Sequence, residues 1–196
     1  MTLFLRFRAG FIVISLILLA FSNGRPARAD QLTDPKVKEI FTLINKNITG
    51  LAGRSETEAT EICGRVVSTI MDIDAVVKAG SVRIWAQMTP AQRSAYSQAA
   101  QRWAVRNCVQ RNKDGKGAPL EFAGLRQGEG GDKLLATRSD QPAHLAIWRL
   151  RGTSKLHAVD VTLDGVSMDL QLRDETNTLL DQNNNDIDKA TVALHR

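Results

Sequence analysis

The side chains in this chain most able to do metal, redox or acid–base chemistry are those of His144, His157, His195, Cys63 and Cys108. Their spacing limits what they can do. His144 and His157 fall on neighbouring predicted strands and could meet, but no thiolate or carboxylate cluster accompanies them at the spacing of a zinc site. A structural or surface role fits all three histidines better, and no metal ligand is assigned. An isomerase or hydrolase would need a buried titratable pair such as His157 with Asp160, yet three positions along a strand place these two on opposite faces. No G-x-S-x-G elbow, H-E-x-x-H helix, Walker loop or dinucleotide fingerprint occurs. Gln127–Asp132 (QGEGGD) is rich in glycine, but it joins two strands instead of opening a helix, so it is a hairpin turn and not a phosphate cradle. Asn47-Ile48-Thr49 fits a glycosylation sequon inside a predicted helix. No catalytic residue and no cofactor are assigned.

The cysteines take their meaning from the compartment, which the start of the chain addresses. Arg6 and Arg8 precede an uninterrupted apolar run, Ala9–Phe21, followed by Ala27-Arg28-Ala29. A basic start, a short apolar stretch and an A-x-A site make a secretory leader, residues 1–29, cut after Ala29. Thirteen apolar residues are too few to cross a bilayer core, which takes about 20. In an oxidising exported compartment Cys63 and Cys108 are disulfide candidates, and two buried thiols on helical core faces are the alternative. The leader also explains the charge. The whole 196-residue chain carries a net +5, but four of its 26 basic residues and none of its acids precede residue 30. The exported part is therefore nearly neutral, without the Lys and Arg surplus that a nucleic-acid backbone requires.

The remaining residues, 30–196, read as one α+β domain. Asp34-Pro35 is a helix start, and Val37, Ile40, Phe41, Ile44, Ile48 and Leu51 follow at helical spacing as far as Gly50 and Gly53. Ser55 with Glu58 forms a capping box ahead of Ile62, Cys63, Val66, Val67 and Ile70. A third helix opens at Asp72 or Asp74 and carries Val76, Val77, Ile84, Trp85 and Met88. A fourth opens at Thr89-Pro90 with Gln92 and runs to about Gln110. The period then changes: Leu120–Leu125, Lys133–Arg138, Ala143–Arg151 and Lys155–Asp164 alternate and are separated by turns, which predicts a four-stranded antiparallel meander. The third strand is apolar on both faces, Leu145 and Ile147 on one, Ala146, Trp148 and Leu150 on the other, so it belongs in the centre of the sheet. Helical spacing returns at Met168 and closes the fold.

Two stretches resemble the MlaC family, also called toluene-tolerance or Ttg2 auxiliary proteins. Asp72–Cys108 is similar to the family's helix junction through Gly80, Trp85, Thr89, Pro90, Gln92, Arg93 and Tyr96. Val159–Leu180 resembles its last strand, turn and following helix through Asp160, Gly165, Val166, Ser167 and Arg173. Order and spacing agree over residues 34–196. The chain departs from the family pattern at Leu156 and Thr176, where aromatics are usual, and at Asn183–Asn185, where a glycine is usual, although Asn tolerates positive φ.

The resemblance implies a monomeric periplasmic carrier of phospholipid serving an ABC-type transport system. Its implied partners are an inner-membrane MCE-domain transporter and an outer-membrane lipoprotein complex. A diacyl lipid has some thirty methylenes, each worth about 0.8 kcal/mol out of water, so a carrier needs a dry cavity with the headgroup left at a wet mouth. With helices packed on the sheet, that cavity is expected between the two layers. The residues expected to line it are Trp85, Met88, Trp103, Leu145, Ile147, Val161, Leu163, Val166, Met168, Leu172 and Leu179, with plain core filling as the competing role of each. Arg83, Arg93 and Arg173 are the phosphate candidates, because a guanidinium pairs with phosphate bidentately. The competing readings are a carrier of a hopanoid or hydrophobic solute, an α+β enzyme of isomerase or hydrolase type, and an adaptor with a filled core.

Overall fold

A computed structural model of the protein describes residues 32–112, 118–140 and 143–195. The predicted leader and its cleavage point after Ala29 lie outside these residues. Five helices come first: α1 (Pro35–Thr49), α2 (Glu56–Ile70), α3 (Ile73–Gly80), α4 (Val82–Trp85) and α5 (Pro90–Asn112). The strands follow as β1 (Glu121–Gln127), β2 (Lys133–Asp140), β3 (Ala143–Arg151), β4 (His157–Leu163) and β5 (Val166–Ser167), then α6 (Met168–Gln182) and α7 (Ile187–His195). Among the described residues no helix is long and apolar enough to cross a membrane.

Local capping chemistry starts the helices where the sequence predicts. The Asp34 carboxylate accepts the Lys36 and Val37 backbone N–H groups, and Pro35 occupies the first turn. Ser55 and Glu58 complete a reciprocal box, and Thr89 and Gln92 exchange the same pair of bonds at the start of α5. The third helix differs from expectation: it stops at Gly80, and α4 is a separate turn. Ser81 leaves helical geometry (φ −119°) directly after Gly80, and the glycine itself serves packing. A Cβ on Gly80 would lie 2.9 Å from Leu172 Cδ2, so α6 crosses here at a distance only glycine allows.

The sheet runs β1-β2-β3-β4-β5, each neighbour antiparallel, with β3 in the centre as predicted. It has five strands, not four. Asp164 (φ 49°) and Gly165 (φ 86°) make a two-residue hairpin that folds Val166 and Ser167 back onto Leu163 and Thr162. One sheet face, carrying Leu135, Trp148, Leu150 and Ala158, is buried under the helices. The C-terminal helices close less of the sheet than expected. α7 packs on α5 and α6, and α6 spans α3 and the end of β4.

Two cross-links fix the helical layer. Cys63 and Cys108 form a disulfide (Cα–Cα 5.8 Å) that ties α2 to α5. The fully buried Tyr96 hydroxyl meets Thr176 Oγ1 at 2.6 Å and ties α5 to α6; Thr176 in turn donates to the Leu172 carbonyl, so Tyr96 is the donor of the pair. Thr176, a departure from the family pattern, thus supplies the polar partner that a buried phenol requires. Burial pushes the Tyr96 phenol from 10 up to about 12. The raised value means that its share of stability is complete below pH 10 and is lost as pH rises toward 12. Tyr96→Phe is therefore expected to cost about 1 kcal/mol at neutral pH. In denaturant titrations it should also flatten the decline in stability over that alkaline window.

Candidate functional site

Between the buried sheet face and the helices lies a cavity whose floor is set by strand register. Thr137, Ala146 and Leu163 stand side by side across β2, β3 and β4, with Trp148 and Val161 paired one step along. The roof is Val66 and Val67 of α2 with Ala104 and Cys108 of α5, and Ile48 of α1 and Leu51 of the turn after it add to the wall. The space exists because the facing positions are small. Ala104 and Ala146 leave a gap that larger residues would fill, and the disulfide in the roof holds α2 and α5 in place. Trp148 donates its indole N–H to Thr137 Oγ1 at 3.1 Å, so the one polar handle deep in the floor is satisfied and the surface around it is dry.

The cavity becomes polar at one end. Asn107, Arg111 and Asn112 from the last turns of α5 meet Ser139, His144 and Gln171 there. Asn107 and Asn112 spend their amide N–H groups on the Trp103 and Cys108 carbonyls. Arg111 Nη2 donates to Gln171 Oε1 at 2.7 Å. His144 Nδ1 lies 2.6 Å from Asp164 Oδ2, while the Leu145 backbone N–H donates to Asp164 Oδ1 at 2.9 Å. The Leu145 N–H chiefly, with His144 and the nearby Arg111 charge, holds the Asp164 carboxyl below its usual range. The clear volume is about 170 Å³. That resembles the roughly 150 Å³ of an engineered apolar cavity that stays dry and takes up benzene. It is a narrow slot.

Of the residues singled out from sequence, Val161, Leu163, Val166 and Met168 are in the wall. Leu145 and Ile147 point to the other face of β3, where Leu145 is 46% exposed. Met88, Trp103 and Leu172 are buried in the main core, and Leu179 packs against it. Trp103 also donates to Glu175 Oε2 at 2.6 Å. Trp85 lies in a separate surface cleft with the Arg93 guanidinium 5.3 Å from its ring centre. None of the three phosphate candidates lines the cavity. Arg93 donates to the Trp85 carbonyl, Arg83 bonds Asn185 and faces Asp181, and Arg173 faces Asp174.

The wall residues not picked out from sequence are chiefly Val66, Val67, Ala104 and the polar end. One signal could have found them: Val66 and Val67 are three and four residues past Cys63, and Ala104 and Arg111 flank Cys108 by four and three. They share the bridged faces of α2 and α5.

His144 and His157 do not meet, because the register pairs His157 with Arg151 while His144 sits opposite Ser139 at the other end of β3. Asp160 accepts the Ser167 hydroxyl and the Asp169 backbone N–H, away from His157. Among the described residues no group of three His, Cys, Asp or Glu side chains could hold a metal.

The sequence pattern of the family described as MlaC protein matches residues 36–196. A solved structure of a phospholipid-binding protein from Ralstonia solanacearum, in complex with a phospholipid, superposes with a TM-score of 0.65. The match has 12% sequence identity and covers 82% of this chain and 97% of that one. No curated protein sequence matches this chain.

Proposed function

The chain belongs to the MlaC family, and on that premise we propose that it is a periplasmic carrier that shuttles phospholipid between membranes as the soluble part of an ABC-type lipid transport system. The observation that carries this reading is the dry slot under α2 and α5, open at one polar end. Acyl chains would lie along Val161, Leu163, Ala146, Val67 and Ala104, and the headgroup would stay at the mouth. The Ralstonia protein of the same fold was solved holding a phospholipid, which supports the cargo class. In this reading the leader is removed after Ala29, and the monomer docks in turn with an inner-membrane MCE-domain transporter and an outer-membrane lipoprotein complex. The near-neutral exported part favours docking through local patches over long-range steering.

The slot sets a condition on loading. About 170 Å³ holds only a part of the thirty or so methylenes of a diacyl lipid, so the helical roof and the sheet floor must part to admit the cargo. A hopanoid or a hydrophobic solute would need the same dry wall but would leave the charge of Arg111 at the mouth unused.

Native mass spectrometry and lipid extraction of protein purified from a bacterial periplasm test the proposal. Phospholipid masses on the intact protein are the expected result. A delipidated protein that takes up no phospholipid or other amphiphile would overturn it.

A further inference from the structure

We infer that Arg111 is the residue that reads the headgroup, by pairing with the lipid phosphate, and that Gln171 positions it. The inference rests on the carrier reading of the cavity and adds the chemical class of what its mouth selects.

Arg111 is the only lysine or arginine in the cavity wall among the described residues, and like Arg93 and Arg106 it bonds a neutral partner. The arginines at 54, 83, 138, 149, 151 and 173 all face carboxylates. Arg111 instead donates to the neutral amide oxygen of Gln171. An amide oxygen orients a guanidinium but cancels none of its charge. The remaining N–H groups of the fork stay available, and their spacing matches a phosphate bidentately. Asp164, whose carboxyl feels the Arg111 charge, makes no ion pair with it and has its oxygens engaged by the Leu145 N–H and by His144. Arg111 is also placed where the dry wall ends, between Cys108 and Gln171, which is where the glycerol-phosphate junction of a lipid must sit if its tails lie in the slot.

The test uses two lipids with the same tails. Delipidated full-length mature protein is mixed with vesicles containing equal amounts of dioleoyl-phosphatidylglycerol and dioleoylglycerol, and bound lipid is extracted and weighed by mass. Wild type should load the phospholipid at least about tenfold over the diacylglycerol, the usual scale for a charge-assisted pair. Arg111→Gln should remove most of that preference, and Arg111→Lys should restore part of it. The decisive variant is Gln171→Glu. It keeps the shape and the contact but puts a carboxylate on the guanidinium, so phospholipid preference should fall as in Arg111→Gln. A purely structural Arg111–Gln171 contact would be kept or strengthened by the same change, with no loss of preference.

Equal loading of the two lipids by wild type, or full preference in Gln171→Glu, would overturn the assignment while leaving the carrier reading intact. Failure to load either lipid would take both down. Inorganic phosphate at millimolar concentration should not displace bound lipid; displacement would make the mouth a free-anion site and overturn the headgroup assignment.

Discussion

Ala146→Phe is expected to give a folded protein that carries at least about tenfold less lipid than wild type. Ala146 stands in the central strand between Thr137 and Leu163 and lines the slot. A phenyl ring there enters existing space instead of a packed core, and aromatic residues suit a strand, so the thermal midpoint should hold or rise. The ring takes volume the tails need. Each excluded methylene forfeits about 0.8 kcal/mol, so two of them already account for about a tenfold drop in affinity. The control is one position along: Ile147→Phe, on the opposite face of β3, should load lipid as wild type does. Lipid extraction and thermal denaturation of both variants check this. A stable Ala146→Phe protein with a full lipid load would show that cargo lies elsewhere.

The second large effect concerns stability. Replacing Cys63 and Cys108 together by serine should cost about 4 kcal/mol, the chain-entropy value for a bridge closing a 45-residue separation. That is a large share of the 5–15 kcal/mol or so that typically holds a domain folded. For a chain of this size it corresponds to a fall of roughly 8–16 °C in Tm. Reduced wild type should melt with the double variant, and reductant should leave the variant unmoved. Because Cys108 lies in the roof, the variant should also release lipid faster, as α2 and α5 are then held by packing alone. A denaturant midpoint unchanged by reduction would refute the stability argument.

Local signals were legible and long-range ones were not. Asp34, Ser55, Asp72, Thr89 and Ser167 open helices through bonds to residues two or three away, so the sequence carries the whole interaction. The close approach at Gly80 depends on Leu172 of a helix that follows more than eighty residues later, and no local pattern announces that contact. The fifth strand has a strong hairpin signal in its Asp-Gly turn, but two residues of strand leave no alternation to read.

The cavity shows the same limit. Alternation in β4 picks out Val161 and Leu163. In β3 both faces are apolar, so alternation separates Leu145 and Ile147 from Ala146 and Trp148 without telling which pair looks inward. Large apolar side chains such as Trp103 and Met88 suit a cavity wall and a packed core equally, and here they fill the core. A hollow comes from volume that is missing, at Ala104 and Ala146, and small residues advertise nothing.

The narrowness of the slot discriminates by shape. A gap of about 170 Å³ between a strand floor and a helical roof suits a thin, bendable chain entering end-on. A broad fused-ring guest would have to wedge the two layers apart along its whole width.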